Sequence, residues 1–196
     1  KKFRYDEIKR NDTRKKIKIS DDDIFLLQAG RISEDKNPDL TMDIFSKLKD
    51  DSFFLAFAGD GDYENVIKRR AHVGDKKDRI VFLGCVNNIE DYMNAADVLL
   101  FPTKQEGFGM VAVEAQMCGL PVLASDIIPK STRISDKIIY LPIESETKWI
   151  DALNKMVFSK KRESIYDERF DASKQASGYK EYLMKTIDKR KENTEK

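Results

Sequence analysis

Histidine occurs once in this 196-residue chain, and tryptophan once. Any Ser-His-Asp or Cys-His arrangement would rest on His72 alone, and nothing in the sequence places a nucleophile beside it. At the end of a polar helical stretch, His72 reads as an exposed structural residue. Cysteine occurs twice, as Cys85 and Cys118, both in apolar contexts without metal-ligand spacing. Both are expected to be small buried hydrophobes in a reducing compartment. An excess of either charge is lacking too: 36 Lys and Arg face 35 Asp and Glu, for a net charge of +1. That balance gives no global basic field for nucleic acid, and no polybasic face is visible. No apolar run approaches the roughly 20 residues that cross a bilayer, and no signal peptide is visible. Internal repeats and low-complexity tracts are absent as well. The chain opens Lys1-Lys2-Phe3 without an initiator methionine, so the expectation is a piece of a longer protein.

What is present is an alternation of short apolar runs and amphipathic stretches. Residues 24–29 form a continuous apolar run stopped by Gly30, the pattern of a strand buried on both faces. A helix is expected over 38–48, with Asn37 as its cap and Pro38 in its first turn. A second buried strand over 53–58 stops at Gly59-Asp60-Gly61-Asp62, with a polar helix following to about His72. Further strands are expected at 80–83, 97–101, 122–124 and 138–141, and helices at 89–95, from about Met110 to Gly119, at 147–158 and at 172–189. Pro121 blocks continuation of the helix that Gly119 ends. Strand and helix alternate throughout, which predicts an α/β fold, a Rossmann-like, doubly wound parallel sheet. In such sheets ligands bind beyond the carboxyl ends of the strands. Loops 31–36, 59–62, 84–88 and 103–109 all follow strands and should converge on that edge. The organisation expected is a lead-in over 1–23, a ligand-binding domain over 24–170, and a terminal helix with a frayed tail over 171–196.

The most informative stretch is Glu106-Gly107-Phe108-Gly109-Met110-Val111-Ala112-Val113-Glu114. Two carboxylates flank a glycine turn that opens a helix, where backbone N–H groups and the macrodipole favour an anion. This arrangement suits a ligand with hydroxyls at both ends and a diphosphate between them, the shape of a nucleotide-sugar. Glu114 has Met110 and Cys118 at i±4 rather than a cation, and small or apolar neighbours, so its carboxylate needs polar partners that ribose hydroxyls would supply. Gly107 and Gly109 permit close backbone approach. In the loop after the first strand, Gly30-Arg31 and Lys36 offer two cations able to clamp a diphosphate, Arg by its fork and Lys as a point charge. Asp60 and Asp62 allow two readings: a metal-holding Asp-x-Asp pair, or a glycine turn in which Asp62 caps the next helix. The turn is preferred, with its glycines near the ligand. Asp21-Asp22-Asp23 lies on the wrong edge and reads as a solvated run, and Trp149 as core.

Gly30-Arg31…Lys36, Gly59-Asp-Gly61, Val81-Phe-Leu-Gly84, Ala95-Ala-Asp97-Val, Glu106-Gly-Phe-Gly109 and Glu114-Ala…Gly119-Leu-Pro-Val122 occur in that order. Together they resemble the donor-binding C-terminal half of glycosyltransferase family 4, retaining enzymes of the GT-B fold. The likeness runs from about Ile24 to Leu141 and more loosely beyond. It implies that Arg31 and Lys36 hold the donor diphosphate and stabilise the departing nucleoside diphosphate. Glu106 would face the transferred sugar, with Phe108, Gly109, Met110 and Val111 offering backbone amides to sugar and phosphates. Glu114 would take the ribose hydroxyls, Val86 and Asn87 would border the base, and Gly30, Gly59 and Gly107 would line the site. One departure is the segment after Ser125-Asp126, Ile-Ile-Pro-Lys-Ser-Thr-Arg133, where many members carry Gly-Gly and then Pro-Glu. In this it looks more like members that build capsular or exopolysaccharides.

The resemblance implies a UDP-sugar donor, no metal or other cofactor, and no nucleic-acid partner. It also implies a separate N-terminal domain that binds a glycan or lipid-linked acceptor, and a cytoplasmic enzyme, peripheral at the inner membrane face through that domain. Without it the chain is expected to be inactive. Rival expectations are a non-catalytic nucleotide-binding subunit completed by another chain, and a nucleotide-sugar epimerase or hydrolase using Glu106.

Overall fold

The computed structural model describes residues 2–171, 173–177, 179, 180, 182 and 184. They fall into two units, divided between Ile165 and Tyr166. The first contains a six-stranded sheet in the order β3-β2-β1-β4-β5-β6, with every neighbouring pair parallel. The strands are β1 (Ile24–Ala29), β2 (Phe53–Ala58), β3 (Ile80–Gly84), β4 (Val98–Phe101), β5 (Val122–Ser125) and β6 (Ile138–Leu141). The helices are α1 (Glu7–Lys16), α2 (Pro38–Lys47), α3 (Glu64–Val73), α4 (Ile89–Ala95), α5 (Met110–Met117) and α6 (Glu146–Lys155). The doubly wound Rossmann-like sheet expected from the alternation is the one observed.

Strand periodicity sorts β1 between two cores. Phe25, Leu27 and Ala29 pack with Met93 of α4 and Ala112 and Ala115 of α5. Leu26 packs on the other face with Ile44 and Phe45 of α2, Ile67 of α3 and Trp149 of α6. Trp149 is fully buried, and its indole N–H donates to the Pro142 carbonyl at 2.9 Å, as a core tryptophan should.

The lead-in is held by buried charge. Asp97, just before β4, accepts from Arg10 at 2.6 Å and from Arg14 at 3.1 Å, and its second oxygen also takes the backbone N–H of Phe25 at 2.8 Å. Arg10 further donates to the carbonyls of Asn94, Ala95 and Ala96 at the end of α4. This fixes α1 on α4 at the amino edge of the sheet and leaves the carboxyl edge open. Asp97, expected inside the strand, instead spends its side chain joining β1, β4 and α1.

Three local expectations need correction. Asn37 stands at the cap position of α2, but in the left-handed region (φ 53°), and its side chain makes no capping bond. Asp62 does not cap α3; Tyr63 holds that position, and Asp62 turns toward Arg31 at 3.7 Å. The helix expected to reach 158 ends at Lys155, because the chain turns extended at Met156 and Phe158 packs edge-on against Phe53, ring centroids 6.3 Å apart.

In the second unit a short 3-10 turn (Glu168–Phe170) follows Asp167, and Asp171 accepts from the backbone N–H of Ser173 at 3.0 Å. Residues 173–177, 179, 180, 182 and 184 are helical. The rest of the helix expected over 172–189, and the fraying expected at 189–196, lie outside the described residues. Among the described residues no helix is long and apolar enough to cross a membrane.

Candidate functional site

The strand order reverses between β1 and β4, so the loops after these two strands part there and leave a crevice at the carboxyl edge. Backbone bonds knit that edge together. Gly30 donates to Ala58 at 2.9 Å, and Gly59 donates to Gly84 at 2.8 Å. Gly59 sits at φ 143°, and a Cβ there would fall onto the carbonyl oxygen of Gly30, so only glycine lets the ends of β1 and β2 close up. Gly109, at φ 93°, turns the chain into α5.

Behind this edge lies an open cavity of about 410 Å³. Gly30 and Arg31 form one wall, Gly59 and Asp60 a second, Cys85 and Val86 a third, and Val111 and Glu114 of α5 close it. The first N–H groups of α5 have no partner inside the helix, and their partial positive charge sits at the same edge. Glu114 is half-buried and has no hydrogen-bond or ion-pair partner among the described residues. Burial pushes its carboxyl above the ordinary carboxylate range, and Lys2 offsets part of that shift. Lys2 donates to the Asn87 carbonyl at 3.3 Å and pairs with Glu90 at 3.2 Å, so Asn87 stands beside Val86 without lining the cavity.

Lys36 and Glu106 meet across the crevice. The Lys36 ammonium lies 2.9 Å from Glu106 Oε2, with both side chains about four-fifths buried, and 3.4 Å from the carbonyl of Gln105. The other carboxylate oxygen of Glu106 accepts from the Gly107 N–H at 3.1 Å. Arg31 behaves differently: its side chain is 68% exposed and only 3.7 Å from an equally open Asp62, so it is free to swing. It also borders a second cavity of about 490 Å³, shared with Asp35, Asp62, Lys104 and Gln105. Among the described residues the site thus offers an exposed, loosely paired cation, a carboxylate-paired cation, a helix N-terminus and a carboxylate without a hydrogen-bond or ion-pair partner.

The sequence matches the family described as Glycosyl transferases group 1 over residues 9–169. The chain belongs to that family. It is 27% identical over 172 residues to the O-antigen biosynthesis glycosyltransferase WclY of Escherichia coli, covering 85% of this chain and 48% of WclY. The chain therefore spans about half the length of this curated relative. Among solved structures, HepE of Anabaena in complex with UDP superposes with a TM-score of 0.71 at 19% identity, covering 78% of this chain and 43% of HepE. The C-terminal domain of the group 1 glycosyl transferase LpcC from Francisella tularensis gives a TM-score of 0.66 at 19% identity, covering 78% of this chain and 84% of that domain.

In this group 1 glycosyltransferase domain, the residues singled out in the sequence divide into two sets. Gly30, Arg31, Gly59, Val86, Val111 and Glu114 come together around one cavity. Lys36 and Glu106 come together beside it, with Gly107, Phe108 and buried Gly109 in the connecting turn and Met110 exposed on the first turn of α5. Cys85 corrects an expectation: it is exposed and lines the cavity, where hydrogen bonding to Asp60 raises its thiol pKa. Cys118 is buried as expected, and its thiol is pushed up to about 12 by burial. Asp60 and Asp62 line different cavities, Asp60 beside Cys85 and Asp62 beside Arg31. Asp60, weighed in the sequence as a metal-holding residue or part of a glycine turn, and Cys85, expected to be buried, both stand in the wall of this cavity. Both lie in the loops after β2 and β3 that were expected at this edge.

Proposed function

We propose that this chain is the donor-binding half of a retaining glycosyltransferase that takes its sugar from a nucleoside diphosphate sugar, with UDP as the nucleotide. The observation that carries the reading is Glu114: a half-buried carboxylate without a hydrogen-bond or ion-pair partner among the described residues, closing a cavity that runs toward Arg31 and the start of α5. A ribose diol would donate two hydrogen bonds to such a group and offset its desolvation. The diphosphate would then lie toward the α5 N-terminus, within reach of the exposed Arg31 and of Lys36. Its two ends are suited to different work, Glu106 to orienting hydroxyls of the transferred sugar and the cations to stabilising charge on the leaving diphosphate. The UDP complex of HepE and the O-antigen role named for WclY support a UDP-sugar and a polysaccharide or glycoconjugate product.

The acceptor, a glycan or a lipid-linked sugar, would be held by a second α/β domain facing this edge, in a cytoplasmic enzyme that meets the membrane through that domain. No metal is invoked, since Arg31, Lys36 and the helix terminus supply the positive charge. Calorimetric titration of UDP, with GDP and ADP as controls, into the chain and into Glu114→Ala tests the reading. Selective UDP binding that Glu114→Ala loses is the expected result, unchanged by manganese, with no sugar transfer by the chain alone. Equal binding of the three nucleotides, or full binding by Glu114→Ala, would refute it.

A further inference from the structure

The residues that bring Lys36 and Glu106 together lie beneath them. Thr103, the second residue after β4, is fully buried. Its hydroxyl stands 3.0 Å from the carbonyl oxygen of Asp35 and 2.8 Å from that of Gln105. These are the residues immediately before Lys36 and Glu106. One side chain therefore touches the backbone just ahead of each member of the ion pair. The Lys104 N–H adds a second bond to the Asp35 carbonyl at 2.7 Å. Gln28, buried on β1, donates to the Lys36 carbonyl at 2.9 Å. The two loops that flank the strand-order reversal are thus joined by partly buried hydrogen bonds, and the Thr103 hydroxyl bonds backbone carbonyls in both.

We propose that Thr103 is a positioning residue: its hydroxyl bridges the loops after β1 and β4 and fixes Lys36 and Glu106 beside the place where a donor's diphosphate and sugar would lie. This rests on the donor-site reading. The bridge acts on the backbone from which both side chains project, so its loss leaves the Lys104 N–H and Gln28 bonds to hold the loops and lets both charges shift. Interactions with a diphosphate should suffer more than those with the nucleoside, which is gripped from the far side of the cavity by Glu114 and the loop at Val86. The hydroxyl carries a single proton for two carbonyls. Rotation of the hydroxyl lets it donate to either carbonyl, which valine, of the same shape, cannot do.

The test compares UDP with UMP, because the ratio of their affinities isolates what the site does for the second phosphate. In Thr103→Val this ratio should fall about fivefold, the worth of one buried hydrogen bond. UMP affinity should stay within about twofold of wild type by the same measure, and Thr103→Ser should restore the ratio. In a Lys36→Ala background the Thr103→Val effect on the ratio should shrink, since much of it is carried by Lys36. An unchanged ratio in Thr103→Val, or an equal loss of UMP and UDP binding with a lowered melting temperature, overturns the proposal. Thr103→Ala serves if the valine variant does not fold; if neither folds while Thr103→Ser does, the hydroxyl is a folding determinant and the positioning role is rejected. Failure of wild type to bind UDP at all instead rejects the donor-site reading itself.

Discussion

Replacing Glu106 with glutamine should tighten UDP binding, although Glu106 belongs to the site. Without ligand, Lys36 is engaged at 2.9 Å by Glu106 Oε2, and both side chains are about four-fifths buried. A diphosphate must draw the ammonium away from that carboxylate and then lie near a fixed negative charge. Glutamine keeps the oxygen that accepts from the Gly107 N–H and removes the charge. An exposed ion pair is worth about 0.2–1 kcal/mol, and this one, shielded on most sides, belongs at the upper end. Relief of about 1 kcal/mol corresponds to roughly fivefold tighter UDP binding. The gain should shrink as salt screens the charges. Calorimetry of UDP into wild type and Glu106→Gln at two ionic strengths measures it. For a UDP-sugar the gain should fall away or reverse, because the sugar loses its carboxylate. UDP binding by Glu106→Gln that is equal to or weaker than wild type would refute the idea that the two groups neutralise one another before the donor arrives.

Glu114 has a folded pKa above the ordinary 4.5, so its contribution to stability is full below that value and is lost as pH rises through the folded pKa. Urea titrations of Glu114→Gln should therefore show a gain over wild type above that window and none below it, and UDP binding within the window should release a proton, seen as a buffer-dependent binding heat. Disulfide-forming thiol reagents should modify Cys85 in the native chain and leave buried Cys118 alone, and saturating UDP should slow the reaction if the cavity that Cys85 lines is the proposed nucleotide site. Asp97→Ala should cost about 3–5 kcal/mol in urea unfolding, because it strands the buried guanidinium groups of Arg10 and Arg14; a loss under about 1 kcal/mol would show that these cations find other partners.

Much of the site was legible because chain connectivity places it. The apolar runs at 24–29 and 53–58 could only be buried parallel strands, and whatever follows such strands arrives at the carboxyl edge. That rule located Gly30, Arg31, Gly59 and Val86, and the glycine turn before an apolar helix located Glu114. Asn37 and Asp62 were misread because a capping residue type does not guarantee a capping geometry: one adopts a left-handed conformation, and the other turns to Arg31. Cys85 was misread because an apolar neighbourhood in sequence says nothing about which wall of a cavity a residue after a strand will face. Thr103 lay in a loop expected at this edge, but its role depends on two carbonyls 68 and 2 positions away, which no local pattern signals.

By itself the sequence determined the architecture and the order of the parts, since strand burial, helix periodicity and turn glycines are local properties of the chain. The tertiary structure alone decided the pairings across the crevice: Lys36 with Glu106, Thr103 with both of their loops, and a Glu114 left without a partner among the described residues. These depend on the strand order that sets β1 beside β4. Residues some seventy positions apart become neighbours only once that order has formed, and their charge, burial and reach then take on chemical meaning together.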